Sequence, residues 1–169
     1  MPQTLRQKIT CDITIKTAAW HALDFDITRQ TQKVIRTSFA MLPVLPALKR
    51  IKKIELGVIL TSDSAIKKIN KDFRGFDKPT NVLSFAQLDD PYVMFFEPFF
   101  LGEIILSYQT LKKESQAQDK RFLDHYTHLL IHGLLHLMQY DHINSKDALK
   151  MEKKEIEILK KLKIANPYL

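Results

Sequence analysis

Residues 126–142 read YTHLLIHGLLHLMQYDH, and from Tyr126 to Tyr140 this stretch holds no acid, lysine or arginine. In a chain whose charged residues make up 27% of the total, such a bare segment asks for a reason. The leucine spacing predicts a helix from about Lys120 to Met138. His132 and His136 stand four positions apart, about 400° of rotation and about 6 Å of rise, so both imidazoles leave one face and can converge on one metal ion. On a continuing helix His142 would lie roughly 15 Å further along and about 80° off that face. A third ligand therefore requires the chain to leave the helix after His136 and turn back. Gln139-Tyr140-Asp141-His142 breaks the leucine pattern and supplies that turn. Three neutral imidazoles with an open fourth position describe a catalytic zinc arrangement, and an apolar surround keeps them unprotonated. His128, one turn earlier, and His125, on the flank, are read as lining the cleft or bonding locally, with a stray-ligand role as the alternative. Asp141 is a candidate acceptor that fixes an imidazole tautomer.

The rest of the chain frames this segment. Its 169 residues suit one domain, 1–169, with a real core. Hydrophobic residues make up 45%, which fits a globular protein. The net charge of +7 favours polyanionic partners such as nucleic acid. Cys11 is the single cysteine, so no intramolecular disulfide forms. The opening MPQTLRQKITCDITIK lacks the apolar block of a signal peptide, and no uncharged run reaches the roughly 18–20 residues that span a bilayer. A cytoplasmic protein with no membrane association is the expectation.

Alternation predicts strands over 9–15 and 54–60, with further strands at 82–85 and 103–107. Helical spacing covers about 27–42, 63–72, 108–118 and a last helix from about Ser145. The polar side of that last helix is read as an ordinary solvated face. The order β-α-β-α-β-β-α-α-α indicates an α/β or α+β fold. The segment PYVMFFEPFF, 91–100, is read as a loop packed over the sheet or helices, with an exposed aromatic surface as the alternative.

Zincin peptidases share the His-x3-His-x5-His spacing but carry a glutamate base directly after the first histidine. Here that position is Gly133, which moves no proton and costs about 1 kcal/mol relative to alanine inside a helix. Its presence predicts a close approach of substrate or backbone at that point.

HGLLHLMQYDH resembles the HGxLHLxGYDH signature of the YbeY endoribonucleases. FRGFDKPTNVLSFA, 73–86, is similar to that family's FRGxDKPTNVLSFP, and LGEIILS, 101–107, to its LGDIxIS. The resemblance implies a small mixed sheet of about four strands packed against about five helices. It implies His132, His136 and His142 as ligands of one Zn2+ per chain, with Mn and Ni as alternatives. It also implies Arg74 as the catalytic arginine, and single-stranded RNA, in ribosomal RNA or the small ribosomal subunit, as substrate. Arg74 suits a phosphate oxygen or transition-state charge, and Lys78 is a candidate further phosphate contact. The chain departs from the signatures at Ala86, Glu103 and Gln139, where the family carries proline, aspartate and glycine. A non-glycine residue at 139 costs roughly 1–2 kcal/mol if the turn needs a positive φ. The implied function is a zinc-dependent endoribonuclease of ribosomal RNA maturation and ribosome quality control. Two alternatives stand beside it: a non-catalytic, metal-stabilised RNA-binding assembly factor, and a metallohydrolase of another substrate.

Overall fold

A computed structural model describes residues 7–169; the first six residues, part of the opening read for a signal peptide, lie outside the described residues. The chain runs β1 (Lys8–Ile15), α1 (Ile27–Ala40), β2 (Lys53–Thr61), α2 (Asp63–Arg74), β3 (Val82–Ala86), β4 (Phe99–Ser107), α3 (Tyr108–Ala117), α4 (Phe122–Leu137) and α5 (Ser145–Lys161). Short 3-10 turns at Ala18–Ala22, Pro46–Leu48 and Gln87–Asp89 join them. The expected α/β architecture of four strands and five helices is therefore present. β4 starts four residues before the expected Glu103, because Phe99 and Phe100 pair with Ile54 and Glu55 across the ladder.

The four strands form one mixed sheet in the order β1-β2-β4-β3. β1, β2 and β4 run parallel, and β3 pairs antiparallel to β4 at the edge. β4 is buried on both faces. Ile104 and Leu106 join the main core with Val34 and Ile35 of α1 and Leu130, Leu134 and Leu137 of α4. Ile105 turns to the opposite face, where it packs with Leu83 and with Ile66 of α2. Two layers of helix thus cover the central strands, as parallel pairing requires. Trp20 sits fully buried in the main core and donates its indole N–H to the Thr61 carbonyl at 3.0 Å. Among the described residues no helix is long and apolar enough to cross a membrane.

Two glycines set how closely the layers approach. Gly102 has φ +143, and a Cβ there would meet the Phe85 carbonyl oxygen at 2.1 Å. It sits at the register shift in the β2–β4 ladder and lets β3 close on β4. Gly133, in mid-α4, would bring a Cβ to 2.7 Å from Ile104 Cγ2 and 3.1 Å from Ser84 Oγ. The close approach predicted at Gly133 is therefore made by the sheet itself. Gly133→Ala should lower stability by about 1–3 kcal/mol through overpacking, despite alanine's better helix propensity. The midpoint of chemical denaturation measures this; an unchanged or raised midpoint would mean the helix moves off the sheet freely.

Candidate metal centre

The uncharged stretch of α4 ends in a motif that turns the chain back. Its last helical residue is Leu137, and Gln139 adopts φ 66. The Gln139 N–H donates to the His136 carbonyl at 3.0 Å and the Tyr140 N–H to the Leu135 carbonyl at 2.9 Å. These are the 5→2 and 6→1 bonds of a Schellman cap with a left-handed C′ residue. The positive φ that the family's glycine suggested is present, and a glutamine adopts it. The Asp141 carboxylate then accepts the His142 backbone N–H at 2.7 Å. Asp141, expected to orient an imidazole, braces the turn instead.

The turn delivers the third histidine. The ring centroids of His132 and His136 are 4.6 Å apart, those of His132 and His142 5.4 Å, and those of His136 and His142 5.0 Å. One nitrogen from each ring lies within 4.8 Å of the other two. His132 and His136 are half-buried and His142 is exposed, so the group opens on one side.

The hydrogen bonds fix what each nitrogen presents. His132 Nδ1 lies 2.6 Å from Glu155 Oε1, on α5. Burial opposes ionisation of Glu155, yet hydrogen bonds from His128, His132 and Tyr168 hold its carboxyl down to about 2. An ionised carboxylate only accepts, so His132 Nδ1 carries the proton and Nε2 is left with a bare lone pair. That Nε2 faces His136 Nε2 at 3.1 Å. Burial, then the neighbouring His132 and His142, lower the His136 pKa below the ordinary imidazole value and favour its neutral form. Two lone-pair nitrogens facing each other at this distance repel unless a cation or proton lies between them. Nitrogens each bound at about 2.0–2.1 Å to a tetrahedral zinc stand about 3.3 Å apart, so the donor set fits such an ion.

The three histidines line a cleft of about 520 Å3 together with Arg74, Asn81, Ser84, Asp89 and Asp141. Arg74 ends α2; its guanidinium lies over the Phe85 ring at 5.4 Å and donates to the Ser84 carbonyl at 3.1 Å. Among the described residues its remaining donors have no partner, which leaves them for an anion. Asn81 is committed to structure: it donates to both Glu114 oxygens at 3.1 Å and accepts the Val82 N–H at 2.7 Å. Lys78 is not among the cleft-lining residues, and its ammonium sits 5.8 Å from the Phe76 ring centroid. His128 and His125 also stay out of the ligand cluster, engaging Glu155 at 3.3 Å and Glu114 at 2.7 Å respectively. Burial, partly offset by Glu114, lowers the His125 pKa.

The residue that sequence reasoning missed is Glu155. It hid in the Lys/Glu side of α5, although its position four after Met151 and three before Ile158 places it in the apolar stripe. A lone acid within such a stripe was the available signal.

Comparison with known proteins gives a consistent picture. The family model for Endoribonuclease YbeY matches residues 15–163. A protein named Endoribonuclease YbeY from Magnetococcus marinus is 47% identical over 135 residues, 75% of this chain and 92% of that one. Relatives of the same name from Francisella philomiragia and Neorickettsia sennetsu are 45% and 41% identical, with 70% and 79% of this chain and 76% and 91% of theirs aligned. A solution structure of a Thermotoga maritima protein shares the fold with a TM-score of 0.55 at 23% identity, over 91% of this chain and 92% of that chain.

The strained turn makes a measurable claim. Gln139→Gly should stabilise the chain by about 1 kcal/mol, since glycine relieves the left-handed strain and only an exposed side-chain bond is lost. A denaturation midpoint at or below that of the wild type would show that the glutamine side chain outweighs the strain.

Proposed function

The chain belongs to the YbeY endoribonuclease family, and from that premise we propose that it is a zinc-dependent, single-strand-specific endoribonuclease. We place its work in the cytoplasm, in ribosomal RNA maturation and ribosome quality control, with one ion per chain. The observation that carries the reading is the meeting of His132, His136 and His142 in a cleft that Arg74 also lines.

Each residue has a role that its chemistry supports. The three imidazoles hold the cation, and Glu155 orients His132 so that Nε2 points inward. When bound, a divalent cation supplies a Lewis acid that polarises a phosphoryl oxygen and acidifies water. Arg74, planar and always charged, binds a phosphate oxygen and meets the charge that develops on it during bond cleavage. Phe85 beneath its guanidinium and the Ser84 carbonyl limit the directions it can take. The net charge of +7 suits a polyanion, and the open cleft admits a flexible single strand. Zinc is favoured by an all-imidazole set of three, while Mn and Ni accept the same donors.

The position that serves as the base in peptidases is closed here. Gly133 packs on Ile104 and Ser84, so a glutamate has no room there. Peptide hydrolysis by that route is not supported.

Nuclease-free protein loaded with zinc should cut single-stranded RNA and spare duplex RNA. Arg74→Ala should lower turnover roughly 100-fold to 1,000-fold, the scale of removing one charge-stabilising donor, while metal content stays at the wild-type level. Normal RNA binding without cleavage by the loaded wild type would favour a non-catalytic assembly factor. Loss of metal in the Arg74 variant would make the arginine structural.

A further inference from the structure

Behind the metal-facing rings lies a second set of contacts, supplied by the last residues of the chain. Glu155 is fully buried, and both its oxygens are engaged. Oε1 accepts from His132 at 2.6 Å, while Oε2 meets His128 Nε2 at 3.3 Å and the hydroxyl of Tyr168. Tyr168 follows α5 and folds back over it. Its ring stands edge-on to His128, with centroids 5.6 Å apart. Lys120 Nζ donates to the Pro167 carbonyl at 2.9 Å, and Asn166 Oδ1 accepts the Tyr168 N–H at 2.9 Å. The α3–α4 turn, α4, α5 and the Asn166 side chain of the tail itself therefore fix it.

We infer that Tyr168 is a positioning residue of the metal centre, its hydroxyl anchoring Glu155 so that His132 keeps its proton on Nδ1 and turns Nε2 to the cation. The inference rests on the metal reading of the three histidines. A phenol beside an ionised carboxylate must donate, so the polarity of this contact is fixed. With Oε2 held by Tyr168, Oε1 stays turned to His132. Without that donor, the buried carboxylate keeps only His128 on Oε2 and gains freedom to rotate, and His132 loses the partner that selects its tautomer. Outer hydrogen bonds of this kind set the orientation and basicity of metal-bound imidazoles.

The test uses the full chain with Tyr168→Phe, which keeps the ring against His128 and removes only the hydroxyl. Zinc affinity is measured by chelator competition, thermal stability on the metal-free proteins, and the His132 tautomer by long-range proton–nitrogen NMR without metal. The variant should bind zinc about tenfold more weakly, at the low end of the effect for outer hydrogen-bond partners. Its metal-free melting temperature should fall modestly, because a buried carboxylate loses one of three donors, and His132 should lose its single Nδ1–H form, which a merely structural loss would leave in place. Glu155→Gln should weaken zinc binding further. Wild-type affinity and an unchanged tautomer in Tyr168→Phe would overturn the inference while leaving the metal centre intact. So would a weaker affinity matched by an equal loss of metal-free stability with the tautomer unchanged. A wild-type chain that takes up no zinc would remove the metal reading and this inference with it.

Discussion

Everything at the site depends on how closely α4 seats on the edge of the sheet. The contact is made at Gly133, where Ile104 and Ser84 occupy the space of a side chain. With the helix at that distance, the residues on either side of the contact are placed by geometry alone. His132 and His136 straddle Gly133 and line the same cleft as Arg74, whose guanidinium lies over Phe85. A helix held one methyl group further out would carry its histidines away from β3 and from Arg74. The other close glycine, Gly102, works on the same distance from the opposite side, since it draws β3 onto β4.

The absence of charge on α4 beyond its first turn, where Asp124 pairs with Arg121, follows from this seating. From Tyr126 onward the helix is buried against the sheet on one side and against α1 and α5 on others, with no surface for further ions. Its histidines still need partners, and these come from neighbouring helices. Glu114 on α3 serves His125, and Glu155 on α5 serves His128 and His132. Each carboxylate reaches in from an element that is otherwise charged and solvated. Isolated buried carboxylates are costly, which is why Glu155 carries three donors rather than one. Supplying the anion from a separate helix makes the tautomer of His132 a property of tertiary packing.

That division explains what the sequence made legible. Local pattern sufficed for the elements, because alternation in Ile9–Ile15 and the leucine spacing of α4 each report a buried face directly. Spacing also sufficed for the ligand trio, since a helix dictates where positions 132 and 136 point and a turn is the single route by which 142 can join them. Glu155 lies 23 and 27 positions from the histidines it serves, on a helix whose composition reads as solvated, and no local rule links them. Asp141 illustrates the converse error. Adjacent to a ligand in sequence, it was the natural candidate for orienting an imidazole, yet adjacency in a tight turn points its carboxylate at the backbone of the next residue. The aromatic segment at 91–100 divides in two: Phe99 is buried in β4, while Tyr92 and Phe96 stay exposed, as the alternative reading allowed.

The turn after α4 shows how this chain meets a geometric demand without glycine. Asp119, Gln139 and Lys163 all take positive φ directly after helices, and each makes the pair of bonds that closes a Schellman cap. At Asp119 and Lys163 the cap ends a helix near the surface, and the chain beyond each contributes to the tail that carries Tyr168. At Gln139 the same strain sits between two metal-site histidines, and there the side chain has a partner: its amide donates to Asp89 at 3.1 Å. Asp89 belongs to the 3-10 turn that follows β3 and lines the cleft. The glutamine thus ties the ligand-bearing turn to the segment that follows β3, a link that glycine lacks. An exposed bond of this kind offsets only part of about 1–2 kcal/mol of left-handed strain. Its consequence is therefore better sought in the width of the cleft than in the stability of the fold, since the strain is local and the tie spans the site.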